Sequence, residues 1–146
     1  MVYFGEFRGK TDKQGRIVIP SKLRNFLSVK KNKNIYITKG LEYCLFIFSD
    51  KMWSNQSAKL KDLPFTKGNP RTFTRLFFSG AFQSQIDKQG RILIPSNLLE
   101  YAGIKENIVI IGAGTRVEIW DEKRWNEYYE LSLKTYENIS EQLMEM

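Results

Sequence analysis

Two aspartate–arginine pairs carry the chemistry that this sequence advertises. Asp12 and Arg16, and again Asp87 and Arg91, stand four residues apart around an identical Lys-Gln-Gly insert. Arginine presents a planar fork of donors that fits a guanine edge or a phosphate. A carboxylate four residues earlier can set the direction of that fork. Lys13 and Lys88 sit where a loop tip is expected, and a compact ammonium there suits a phosphate. Gln14 and Gln89 can match an adenine edge, and equally read as solvated turn residues. Arg8 and Lys10 share a strand face with Asp12 and would extend the basic surface. The second copy has Gln83 and Gln85 at those places, so equal engagement of the two copies is not expected.

A purely structural reading makes each pair an exposed ion pair. Such a pair is worth about 0–1 kcal/mol, a weak reason to keep both arginines while their flanks drift. Polyanion contact is the stronger reading. The net charge of +7 supports it through its distribution. Residues 1–75 hold 16 Lys/Arg against 5 Asp/Glu, whereas residues 76–146 hold 7 against 11. A basic front and an acidic back fit a polyanion-binding face with a solvated opposite side.

Other chemistries lack their residues. The chain has no histidine and one cysteine, Cys44, in an apolar stretch. The commonest general base is missing, and a zinc site of the Cys/His kind cannot be built. No metal, cofactor or small-molecule substrate is expected, nor is catalysis. A lone cysteine suits a reducing cytoplasm. No apolar run reaches the roughly 18 residues of a membrane span, so no membrane partner is expected.

The pairs belong to a larger repeat. Residues 5–23 and 80–98 agree at 12 of 19 positions, at an offset of 75. Residues 7–11 alternate at period two and read as a strand. Arg16-Ile17-Val18-Ile19 is a β-branched strand ended by Pro20. Gly15 and Gly90 take the third loop position, where a left-handed residue is wanted. Pro20-Ser21 and Pro95-Ser96 open short helices, with serine suited to the cap and proline to the first turn. Leu23, Phe26 and Leu27 follow at helical spacing. A second strand pair closes each unit, at residues 35–38 and 43–48, and at 108–111 and 115–120.

The fold class expected is mainly β with helices. Two tandem β-β-α-β-β units, 5–54 and 80–126, interleave their hairpins into one closed barrel. Connecting helices occupy 55–79, the second of them capped by Asn69 with Pro70 in its first turn. A single final helix runs from Lys123 to about Met144, with 127–146 beyond the second unit. Phe73, Phe77, Phe78, Trp53, Trp120 and Trp125 read as core or subunit contacts rather than base-stacking platforms. Arg71 and Arg75 fit a solvated face and a subunit interface equally well.

The doubled Asp-x-x-x-Arg turn, each followed by Ile-x-Ile-Pro, resembles the MraZ family. Gly5-Glu6-Phe7 ahead of the first turn and the run Arg71-Thr72-Phe73-Thr74-Arg75 before the second add to the likeness. The resemblance implies an AbrB-like swapped-hairpin fold and a bacterial transcription regulator in the cytoplasm, associated with the nucleoid. It implies double-stranded DNA as partner, read at repeated promoter boxes of the division and cell-wall gene cluster, the regulator's own gene included. It also implies a homo-oligomer closed into a ring, with Asp12 to Arg16 and Asp87 to Arg91 as the DNA-binding segments. The rival function class is an antitoxin-like protein-interaction module of the same fold.

Overall fold

The computed structural model describes residues 2–27 and 34–146. The side chain of Phe26, part of the helical spacing above, lies outside the described residues. The first unit comprises β1 (Glu6–Lys10), β2 (Arg16–Val18), α1 (Ser21–Leu27), β3 (Ile35–Lys39) and β4 (Leu45–Ser49). Two helices follow, α2 (Asp50–Leu60) and α3 (Gly68–Ser79). The second unit repeats the order as β5 (Phe82–Ser84), β6 (Arg91–Leu93), α4 (Ser96–Ala102), β7 (Asn107–Gly112) and β8 (Val117–Asp121). The chain ends in α5 (Glu122–Leu133) and α6 (Tyr136–Met144).

Each unit lends its first strand to the other. β1 lies antiparallel to β7, with Phe7 opposite Ile110, and β5 lies antiparallel to β3, with Phe82 opposite Ile37. The equivalent strands β4 and β8 meet at the centre, and so do β2 and β6. The result is a six-stranded sheet in the order β1-β7-β8-β4-β3-β5, with β2 and β6 as a separate two-stranded ribbon. The closed barrel expected from the sequence is not formed as one ladder. β1 and β5 are open edges, and a single bridge between Thr11 and Ile17 joins β1 to the ribbon. Beyond that bridge the chain commits its next backbone groups to the opposite unit, so the ladder cannot continue around.

Two cores follow from this layering. Ile17, Ile19, Ile92 and Ile94 of the ribbon segments, with Leu23 and Leu98 of α1 and α4, pack on one sheet face. They meet Ile37, Leu45, Ile47, Ile110 and Ile119, all essentially inaccessible to water. The opposite sheet face is aromatic. Phe46, Phe48 and Trp120 are covered there by Trp53 of α2, Phe73 and Phe77 of α3, and Trp125 of α5. Offset and edge-to-face ring contacts join them, such as Trp53 to Phe77 at 5.7 Å. Of the aromatic residues singled out in the sequence, Phe77 and Trp120 are buried, and Trp53, Phe73, Phe78 and Trp125 pack partly buried against them. β4 is buried on both faces, and the chain covers it unaided.

Three local expectations shift. Pro95, not Ser96, caps α4, because proline's extended backbone (ψ 148°) suits the capping position and its carbonyl accepts from Leu98 and Leu99. α3 starts at Gly68 with Lys67 at its cap, two residues earlier than Asn69 suggested. Pro70 still falls in the first turn, where its missing N–H costs nothing. The single C-terminal helix is two. Lys134 ends α5, and the Thr135 backbone N–H and hydroxyl both turn back to the Ser132 carbonyl, at 3.1 and 3.2 Å. A hydroxyl residue that bonds its own backbone competes with helix continuation. α6 buries none of its residues.

Candidate nucleic-acid interface

Both turns are built by their aspartate. In the first, Asp12 Oδ1 accepts the backbone N–H of Gln14 at 2.9 Å and of Arg16 at 2.8 Å. In the second, Asp87 Oδ1 accepts from Gln89 at 2.9 Å and Arg91 at 2.8 Å. Backbone bonds from Asp12 to the Arg16 carbonyl and from Asp87 to the Arg91 carbonyl, each 2.9 Å, close the loops. A short carboxylate side chain satisfies amides that a tight turn would otherwise leave without partners. The carboxyl of Asp87 lies below its ordinary pKa. The backbone N–H of Arg91 is the main cause, followed by the Arg91 side chain and the Gln89 N–H.

Gly15 and Gly90 hold left-handed backbone, with φ of +86° and +78°. Their carbonyls are also the points where the units lock together. Ile94 N–H donates to Gly15 at 2.9 Å, and Ile19 N–H donates to Gly90 at 2.8 Å. A β-carbon on Gly15 would stand 2.9 Å from the Ile94 carbonyl oxygen. Glycine is needed for both reasons, conformation and close approach.

The arginines sit on the ribbon. Arg16 opposes Leu93, and Arg91 opposes Val18. Opposed residues on antiparallel strands share a face, as do residues two apart on one strand. Arg16, Val18, Leu93 and Arg91 therefore form one outward face, while Ile17 and Ile92 turn into the core. Val18 is 56% exposed and Leu93 42%, and both arginines are partly exposed. The two arginines are offset by two residues, roughly 7 Å along the ribbon. Lys13, Gln14, Lys88 and Gln89 are exposed at the two turn tips. The structure thus brings Arg16, Arg91, Lys13, Lys88, Gln14 and Gln89 onto one ribbon and its two turns.

The two copies differ at the arginine. Arg91 Nε donates to Asp87 Oδ2 at 2.8 Å, and its terminal nitrogens have no hydrogen-bond partner among the described residues. Among the described residues the Arg16 guanidinium has no such partner. Arg8 and Lys10 lie on the sheet edge β1, where they line an open groove together with Val18 of the ribbon. Arg8 bonds Glu6 at 3.0 Å and Asn126 at 3.2 Å, and approaches Glu122 at 3.5 Å. Lys10 approaches Glu106 at 3.9 Å. Val18 and Leu93 were not singled out in the sequence. They are the variable residue of Ile-x-Ile, and their signal was an apolar side chain on the polar side of an alternating strand.

Among the described residues no three His, Cys, Asp or Glu side chains are grouped to hold a metal ion. No helix among them is long and apolar enough to cross a membrane. Burial pushes the Cys44 thiol far above its ordinary pKa, which makes it a packing residue rather than a nucleophile.

The chain matches one family twice, over residues 2–76 and 77–146, under the description "MraZ protein, putative antitoxin-like". A transcriptional regulator MraZ from Acetivibrio thermocellus is 46% identical over 142 residues, covering 97% of this chain and 96% of that protein. One from Heliobacterium modesticaldum is 43% identical, covering 99% and 98%. One from Thermoanaerobacter is 47% identical, covering 95% and 94%. Two matches that divide the whole chain near the repeat boundary, with relatives aligned end to end, establish that the chain belongs to the MraZ family.

Proposed function

We propose that the protein is a DNA-binding transcriptional regulator whose β2–β6 ribbon enters the major groove. The observation that carries this reading is the ribbon's outward face, with Arg16 and Arg91 around Val18 and Leu93 and a lysine tip at either end. A two-stranded ribbon fits the major groove, where Arg reads guanine O6 and N7 and apolar side chains meet thymine methyl groups. Lys13 and Lys88 contact phosphate, and Gln14 and Gln89 lie within reach of base edges or backbone. Arg8 and Lys10, engaged with carboxylates, serve the field around the ribbon more than direct contact.

Relatives that carry the regulator name support regulation as the task. Its sites are repeated boxes upstream of the division and cell-wall gene cluster, its own gene included. The units 5–54 and 80–126 act as one DNA-reading body, and the protein works in the cytoplasm at the nucleoid. Several subunits assemble into a ring, which presents ribbons to boxes in series. Exposed apolar residues of α5 and α6, among them Leu131, Tyr136, Ile139 and Leu143, are available for subunit contact.

The test is a mobility shift on duplex DNA from just upstream of the chain's own gene, beside a scrambled duplex, across a salt series. Tighter binding to the upstream duplex, falling steeply with salt, is expected. Equal binding to both duplexes would remove sequence-specific regulation. The antitoxin-like words in the family description keep one other reading in view. α6, with no buried residue, is the segment such a protein partner would take.

A further inference from the structure

The two turns match in backbone and differ in what lies over them. Leu99 of α4 covers the first, its Cδ1 3.2 Å from where a β-carbon on Gly15 would stand. Arg24 of α1 covers the second, its Cζ 2.7 Å from the corresponding point on Gly90. Arg24 and Leu99 are separated by the repeat offset, so they are one position of the unit in its two copies. The exchange of leucine for arginine adds one cation to the turn that carries Lys88 and Arg91.

That cation is preorganised and unspent. Arg24 is half-buried, with its Cδ 3.0 Å from the β-carbon point over Gly90. Among the described residues its guanidinium makes no hydrogen bond or ion pair. Asp87, the carboxylate of that turn, is occupied by the Gln89 and Arg91 amides and the Arg91 side chain. An arginine whose stem is packed while its donors stay free loses little freedom when it takes a phosphate.

We propose that Arg24 is a DNA-phosphate contact of the second turn, supplied by the opposite repeat. The second site is then built from both units, and it regains charge that Gln83 and Gln85 do not provide. This rests on the DNA-binding reading above.

Arg24→Leu tests it, because it installs the side chain that the other copy already carries over its glycine. Binding is measured on the upstream and scrambled duplexes between about 50 and 200 mM salt. Affinity is expected to fall by a similar factor on both duplexes, with the salt slope shallower by about 1 per chain engaged. Arg24→Lys should restore the slope. If Arg24→Leu melts early, Arg24→Gln keeps the stem, drops the charge and reads the same slope. Unchanged affinity and slope in a folded variant overturn the proposal, and a loss confined to the upstream duplex overturns the phosphate assignment. Failure of the underlying reading looks different, because wild type would then bind no duplex or Arg16→Ala would bind normally.

Discussion

Asp87 holds the Arg91 guanidinium at 2.8 Å while its other oxygen shapes the turn beneath. One carboxylate thus builds the loop and aims the side chain that the loop presents. In the first copy Asp12 builds the loop in the same way, but Arg16 is not clamped to it. A clamped arginine enters a groove pre-aimed, and a free one adapts to what it meets.

This relationship has a pH signature. The Asp87 carboxyl lies below its ordinary value of 3.8, so its charged form favours the folded state. Its contribution is fully present above that ordinary value and is lost as pH falls through the depressed one. The melting difference between wild type and Asp87→Asn should be constant at neutral pH and vanish in strong acid. A carboxyl resonance for Asp87 titrating at or above the ordinary value would remove the basis of this expectation.

Alanine at the two glycines should not act alike. On Gly15 a β-carbon meets the Ile94 carbonyl oxygen at 2.9 Å, on the backbone that bonds this turn. On Gly90 it meets the Arg24 side chain instead of backbone, and a side chain can shift at lower cost. Left-handed backbone costs each alanine about 1–2 kcal/mol. Gly15→Ala should lose more on top of that, read as a lower denaturant midpoint than Gly90→Ala. Equal midpoints would show that the Ile94 contact yields freely.

Light scattering at micromolar concentration should return a multiple of the 17.2 kDa chain mass. Both faces of β4 are covered within the chain, while α5 and α6 expose Leu131, Tyr136, Ile139 and Leu143 for subunit contact. A clean mass of 17.2 kDa would exclude the ring.

Duplexes with several boxes should bind far more tightly than duplexes with one. Later contacts within a ring become intramolecular, which adds roughly 10²–10⁴ in affinity with no new contact type. A fluorescence titration with one box and with three would show this, and equal affinities would discard the avidity expectation.

Much of the site was legible in the residue types. The turn glycines, the aspartates and the ribbon arginines stand where a repeated hairpin requires them, because turn chemistry is local. Strand exchange was harder to read in detail. Alternation says that Phe7 faces inward but not that Ile110 of the other unit opposes it. The ion pair expected at both turns forms at Arg91 and not at Arg16, since side-chain rotamers depend on neighbours that spacing does not reveal. The polar partners of Arg8 could not be read, because α5, which brings Asn126 and Glu122 to it, lies more than 100 residues away. Arg24 escaped notice for the same reason. Its meaning depends on Gly90, which only the folded pairing of the two units places beneath it.

The most direct test of the DNA-reading ribbon is Arg16→Ala titrated beside wild type on the upstream duplex at physiological salt. Arg16 has no side-chain hydrogen bond or ion pair among the described residues, so its loss breaks no polar contact of the fold. One bidentate base contact is worth about 1–3 kcal/mol, repeated in every subunit. The expected result is a folded protein with an unchanged melting curve and near-complete loss of sequence-specific binding. An Arg16→Ala protein that binds the upstream duplex as wild type does would take the ribbon out of the site.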